Sequence, residues 1–259
     1  MLLNEFDPNP VAVFDPTTLF SPVPGMPRVA VSCFSFVTFD RMLAALPDAE
    51  QIALLKCASQ QFPVYRATVD GVPVALYLSQ VGAAGCVGQL EEIFAMGVET
   101  LVLFGTCGVL DRAIDDCAVI LPTSALRDEG TSYHYAPPSD EIRVNVAHRE
   151  LFTSLMEELR LRYVSGKCWT TDAIYRETRD KMLRRKEQGC ICVDMECAAC
   201  AAVAQFRGRN VLQFFYAADN LDAEEWDERS LSNTAMVEEK DRIAQLALTL
   251  AVRIHSTTK

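Results

Sequence analysis

The stretch "GCICVDMECAACAA", Gly189 to Ala202, decides the fold. Its first half reads as a short buried strand, and its second half, alanine upon alanine, reads as a helix. A strand running straight into a helix is the repeating unit of an α/β layer. Two carboxylates, Asp194 and Glu196, flank Met195 at the junction. A buried carboxylate is costly unless something pairs with it. A carboxylate at a helix start is favoured by the helix dipole by about 0.3–1 kcal/mol, so one of the two suffices as a cap.

The same rhythm recurs along the chain. "RVAVSCFSF" is followed by "DRMLAAL", and "VPVALYLSQVG" by "AAGCVGQLEEIFAMG"; "TLVLFG", "CAVILPTSA" and "NVLQFFYAAD" are further apolar strands. Together they predict a single α/β domain over residues 1–259, with a central mixed sheet, partly barrel-like, flanked by helices. Ile243, Leu246, Ala247, Leu250, Ala251 and Ile254 recur at three- and four-residue spacing and predict a C-terminal helix packed on the sheet. Six prolines before about Arg28 predict an extended N-terminal arm over about residues 1–28, which covers the domain or reaches a neighbouring subunit.

Of the 259 residues half are hydrophobic, enough for a sizeable core, and the formal net charge is −11. Phosphate-rich surfaces would repel such a chain, so neither nucleic acid nor a membrane is expected as partner. A small molecule fits better. The start "MLLNEFDPNP" does not read as a signal peptide, so the ten cysteines are expected as reduced thiols in the cytoplasm. Cys190, Cys192, Cys197 and Cys200 do not form paired C-x-x-C knuckles and are expected as small buried hydrophobes, with no metal. G-x-S-x-G, H-E-x-x-H, Walker and G-x-G-x-x-G motifs are absent, and three histidines leave little room for a Ser-His-Asp or histidine-metal site.

Three strand ends carry chemistry. "VLFGTCGVL" runs a strand into Gly105, Thr106, Cys107 and Gly108, expected as a turn whose N–H groups approach an oxygen-rich ligand. "GCICVDMEC" delivers Asp194, Met195 and Glu196; the acid not used as a cap suits a ribose, since a carboxylate accepts from two vicinal hydroxyls while a thioether packs on the sugar. "FFYAADNLD" ends in Asp219 and Asp222. "LRDEGTSYHYAPP" and "WTTDAIYRETRDK" are expected as loops, with Arg127, Asp128 and Glu129 structural and Tyr175, Glu177 and Arg179 near a ligand.

Taken together, "FGTCGVL", "VDMECAA", "YAADNLD" and "RDEGTSYHYAPP" resemble the nucleoside phosphorylase and uridine phosphorylase superfamily, which also contains phosphate-independent nucleosidases. The resemblance runs from about Val72 to the C-terminus. It implies cleavage of the N-glycosidic bond of a nucleoside without a cofactor, phosphate being a co-substrate, in a homo-oligomer, dimer or hexamer, that serves nucleoside salvage. Glu196 and the Met195 backbone would bind the ribose hydroxyls, with Asp194 also at the substrate, Thr106 and Gly108 would face the sugar or the attacking group, and Tyr175, Glu177 and Arg179 would lie near the base. Asp219 would help the leaving base depart, which favours a purine over uridine, whereas the "RDEGTSYHYAPP" segment is similar to uridine phosphorylases.

The chain departs from that family where phosphate should bind. The Gly-Asp-Pro-x-Arg turn is replaced by "VSCFSFVTFDR", an expected arginine is Leu103, and a third falls at or near Gln60, with Arg66 close by. A phosphate dianion needs fixed cations or N–H donors. Ser32, Ser35 and Arg41 are the candidate substitutes; otherwise the acceptor is water, or the chain is a nucleoside- or base-binding protein without turnover. The arm also lacks the histidine that family members lend to a neighbour's sugar site.

Overall fold

A computed structural model describes residues 2–257. The strands are β1 (Val29–Cys33), β2 (Glu50–Lys56), β3 (Gln61–Val69), β4 (Val72–Leu78), β5 (Thr100–Val109), β6 (Val119–Asp128), β7 (Glu141–Arg143), β8 (Tyr163–Thr171), β9 (Cys190–Asp194) and β10 (Asn210–Asn220). The helices are α1 (Phe36–Ala44), α2 (Ala83–Ala95), α3 (Arg149–Glu158), α4 (Arg179–Glu187), α5 (Cys197–Arg207) and α6 (Val237–Thr257).

One sheet carries all of them. β5 pairs with β10 and with β9, β10 pairs with β6, β6 with β8, and β8 with β9, so five strands close into a barrel. β1 lies parallel to β5 and continues the sheet outward through β4, β3 and β2 as an open wing. The expected mixed, partly barrel-like sheet is therefore observed. Asp70 and Gly71 turn β3 into β4 with φ of 49° and 79°, the two-residue geometry that matches strand twist.

Both faces of the sheet are covered. α1, α3 and α6 bury one face, and the whole stripe Ile243, Leu246, Ala247, Leu250, Ala251 and Ile254 is in that core. α2 and α5 cover the other face, where Ala199, Cys200 and Val203 meet Cys86, Leu90 and Ile93. Small residues make this close approach possible, and every residue of α5 from Cys197 to Ala204 is buried. Cys190, Cys192, Cys197 and Cys200 are all buried among these layers.

The arm is extended except for short 3-10 turns at Leu2–Asn4 and Pro16–Thr18, and it folds back on its own domain. Phe20, Val23 and Met26 pack on the α2 core, Val23 N–H donates to Met96 O, and Phe6 meets Phe206 edge-on. No helix among the described residues is long and apolar enough to cross a membrane.

Two boundaries differ from expectation. The first helix starts at Phe36 rather than near Asp40, because Ser35 caps it by accepting Thr38 N–H. Gly105 to Gly108 form no turn; β5 continues through them to Val109. A Cβ on Gly105 would stand 2.6 Å from the Phe34 ring, and one on Gly108 would stand 2.5 Å from Leu221 Cδ1. The glycines serve close packing, and the strand runs on because β9 and β10 both pair with it.

Candidate active site

The ends of β5, β9 and β10 meet at a cavity of about 160 Å3. Thr106, Cys107 and Gly108 come from β5, Val193 and Asp194 from β9, Met195 and Glu196 from the step into α5, and Asp219 from β10. Phe34, Val81, Ile174, Glu177 and Leu231 complete the wall. Asp219 lies inside β10, where the register with β5 shifts between Ala217 and Asn220. An irregularity of this kind re-aims a side chain.

Asp194 and Glu196 divide their work. Asp194 Oδ2 accepts the N–H groups of Glu196 (2.9 Å) and Cys197 (2.7 Å), closing the first turn of α5. Its Oδ1 accepts the Thr170 hydroxyl (2.8 Å) and the Cys168 thiol (3.3 Å). Asp194 was expected on the substrate; instead both its oxygens are engaged within the protein. Burial outweighs these bonds and pushes its pKa up to about 6.

Glu196 is 5% exposed and lines the cavity with Thr106 and Asp219. Its Oε1 accepts Gly82 N–H at 2.5 Å. Gly82 has φ of 96°, a conformation that a side chain would strain, and this turns its N–H onto the glutamate. Burial, and then the nearby Asp194, push Glu196 up to about 8. Met195 lines the same cavity beside it.

Asp219 and Glu177 also line an adjoining outer cavity of about 510 Å3. Asp219 Oδ2 accepts the Trp226 indole N–H at 2.8 Å; burial raises its pKa and this bond opposes the rise. Glu177 is pushed up to about 7, by burial first and by the Asp219 charge second. Tyr175 stands at the outer rim, 95% exposed. Arg179 was expected beside the base; it lines the outer cavity, but its Nη1 donates to the carbonyls of Leu221 (3.1 Å) and Ala223 (2.7 Å) and so braces that loop. It also begins α4, and Trp169 belongs to β8, so the segment is less of a loop than expected.

The other acids and bases at these strand ends are structural. Arg127 donates to Ser132 Oγ and Pro137 O and stacks 4.0 Å over Tyr133, Asp128 accepts the Trp169 indole N–H and pairs with Lys181, and Glu129 accepts Ser132 N–H. Asp222 is buried between Lys186 and Arg112.

The inner cavity is acidic. None of the described residues lining it is lysine or arginine, whereas Glu177, Asp194, Glu196 and Asp219 all are part of it. The three expected phosphate ligands are engaged elsewhere. Ser32 Oγ donates to Tyr77 O at 2.6 Å, Ser35 caps α1 and donates to Asn233, and Arg41 is clamped on Asp241. Leu103 is in the core, and Arg66 pairs with Glu50.

Sequence reasoning missed Phe34, Val81 and Leu231 in the inner wall and Trp226 on Asp219. Trp226 had a signal, being one of two tryptophans and set in the acidic run "AEEWDERS". Phe34 stands in "SCFSF", the segment read only for what it lacked.

Several known proteins are similar to this chain. A guanosine phosphorylase of Halorubrum lacusprofundi is 25% identical over 65% of this chain and 68% of its own length. The uridine phosphorylase of Escherichia coli K12 is 34% identical over 35% of this chain, and an uncharacterized protein, R802, of Acanthamoeba polyphaga mimivirus is 28% identical over 64% of it. The matches span 39% and 64% of those two relatives. Among solved structures, uridine phosphorylase from Vibrio fischeri ES114 superposes with a TM-score of 0.76 at 18% identity, covering 90% of this chain and 95% of that one. Purine nucleoside phosphorylase from Toxoplasma gondii, in complex with immucillin-H, gives 0.76 at 16% identity, covering 90% and 94%. These two share the fold. The family model for the phosphorylase superfamily matches residues 39–254, beginning well before Val72, and the chain belongs to that superfamily.

Proposed function

We propose that the chain cleaves the N-glycosidic bond of a nucleoside, a purine nucleoside in preference to uridine, and passes the ribosyl group to phosphate. One observation carries this reading: Thr106, Glu196 and Asp219 converge on a single cavity that opens into a larger one. The sugar occupies the inner cavity and the base the outer. Glu196, with Oε1 anchored on Gly82, takes the ribose hydroxyls. As the bond between C1′ and the base stretches, the sugar gains positive charge, which the acid oxygens lining the cavity stabilise. The bonding pair leaves with the base, and Asp219, whose proton burial helps retain, delivers that proton to the base nitrogen. The acceptor oxygen then bonds to C1′. The similarity to a guanosine phosphorylase supports the purine preference.

Water is the second reading for the acceptor, and it too has a specific observation in its favour. A cavity lined by four acids and by no lysine or arginine offers a phosphate dianion no fixed cation. Phosphorolysis therefore calls for cations from a second copy of the chain, and we take the working unit to be a homo-oligomer, dimer or hexamer. The reaction uses no cofactor, and a role in cytoplasmic nucleoside salvage belongs to the same proposal.

The test is a panel of purine and pyrimidine nucleosides incubated with and without phosphate and scored for free base by chromatography. Phosphate-dependent release, strongest for purines, is expected. Release that ignores phosphate selects water, and no release from any nucleoside overturns the enzymatic reading in favour of a binding protein.

A further inference from the structure

The loop that follows β10 is tied down at several points. Asn220 N–H donates to Asp227 O at 2.9 Å and Asp227 N–H donates back to Asn220 O at 3.3 Å, which closes the loop on itself. Between them Asp222 is gripped by Lys186 (2.7 Å) and Arg112 (3.3 Å), and Arg179 donates to the carbonyls of Leu221 and Ala223. Trp226 sits on this fixed loop, one residue before the closing bridge, and is nevertheless 60% exposed.

The two tryptophans of the chain make the same bond and differ in everything else. Each donates its indole N–H to an aspartate at 2.8 Å, Trp169 to Asp128 and Trp226 to Asp219. Trp169 is fully buried, with Lys181 and Arg185 over its ring at 5.3 and 5.7 Å. On Trp226 no other aromatic ring and no cation is stacked among the described residues. It stands beside Asp219 on the wall of the outer cavity of about 510 Å3, so a heterocycle that brings a nitrogen to Asp219 lies against the indole. Ile174, Met182, Leu221 and Leu231 on that wall are aliphatic, and Tyr175, its other aromatic, is at the rim with no hydrogen bond to fix its hydroxyl among the described residues.

We propose that Trp226 selects the base: its indole stacks on a planar heterocycle in the outer cavity, its N–H keeps ring and acid in register, and the fused double ring of a purine is the class preferred. Stacking strengthens with the flat area covered, and a purine covers more of an indole than a single pyrimidine ring does. The proposal rests on the reading of the outer cavity as the base site and adds the residue that discriminates there.

Hypoxanthine and uracil are titrated into the full chain by calorimetry and by indole emission, excited beyond the absorption of either base. Trp169 is the one other tryptophan and is enclosed, so a quench reports Trp226. Hypoxanthine is expected to bind at least about fivefold more tightly than uracil and to quench the emission. Trp226→Phe, which retains an aromatic face, should hold hypoxanthine within about threefold of wild type while its remaining emission no longer responds. Trp226→Leu should lose at least about fivefold in hypoxanthine affinity and bring the two bases level, with an unchanged thermal midpoint, as expected of an exposed position. Hypoxanthine that binds wild type without quenching it, a quench that survives in Trp226→Phe, or equal hypoxanthine affinity in Trp226→Leu and wild type overturns the proposal and leaves the base site in place. Failure of wild type to bind hypoxanthine overturns both.

Discussion

Two walls of the inner cavity are built from equally buried strands and do opposite things. On the wall of β5, β9 and β10, polar groups reach the cavity: Thr106, Glu196 and Asp219 line it. On the wall of β1, Ser32 turns back to Tyr77 O, Ser35 is used up in capping α1, and the ring of Phe34 faces the cavity instead. The sheet sets where a strand tip lies; the hydrogen bonds already made at that tip set whether any chemistry remains there. One half of the cavity presents polar groups, and the other half is apolar.

The comparison breaks most readily at Asp219. Asp219→Asn keeps the size and the Trp226 contact but cannot deliver a proton, so purine-nucleoside turnover is expected to fall by about 10²–10⁴-fold. Unchanged turnover in a base-release assay would mean that the sugar-side wall does not carry the chemistry. Gly108→Ala tests how tightly that wall is built. Its Cβ would lie 2.5 Å from Leu221 Cδ1 and 3.1 Å from Val193 Cγ1, so overpacking should cost about 1–3 kcal/mol in urea unfolding. A neutral result would show that β5, β9 and the loop after β10 are not held in such close contact.

A third effect sits in the pH dependence. Glu196 has its folded pKa raised to about 8, above the value near 4.3 of a free glutamate, so the folded chain holds this proton more tightly than the unfolded one. Its contribution to stability is present in full below about pH 4 and is lost as pH rises toward 8. Glu196→Gln removes that loss, and its stability relative to wild type should climb between pH 5 and 8 by up to about 1.4 kcal/mol per pH unit. Parallel pH curves for the two chains would contradict the buried, proton-holding glutamate. Least affected is the β1 wall: Arg41 is half-exposed and committed to Asp241, so Arg41→Ala should change stability by less than about 1 kcal/mol and leave any phosphate dependence unchanged. A large rise in the phosphate concentration needed would return Arg41 to the site.

Much of this was legible in the sequence. The alternation of apolar strands with helices, the C-terminal stripe and the placing of Glu196 and Asp219 at strand ends follow from local periodicity, because burial on a sheet imposes it. What was illegible depends on partners far along the chain. The bonds from the N–H groups of Glu196 and Cys197 that mark Asp194 as the cap are local, but the rest of what separates it from Glu196 is not: Thr170, Cys168 and Gly82 lie 24, 26 and 114 residues away. Gly105 and Gly108 read as a turn because a glycine's freedom and a glycine's lack of bulk leave the same letter, and only Phe34 and Leu221 reveal which property is in use. Arg179 looked like a ligand for the same reason, since its backbone acceptors lie on another loop.

That Glu196 grips a sugar diol is tested most directly by comparing a nucleoside with its 2′,3′-dideoxy analogue in wild type and in Glu196→Ala. Two hydrogen bonds of about 0.5–1.5 kcal/mol each should make the wild-type kcat/KM fall by roughly 5- to 150-fold on loss of the hydroxyls, and the variant should scarcely distinguish the two substrates. Equal discrimination by both enzymes would contradict the role given to this residue and to the cavity built around it.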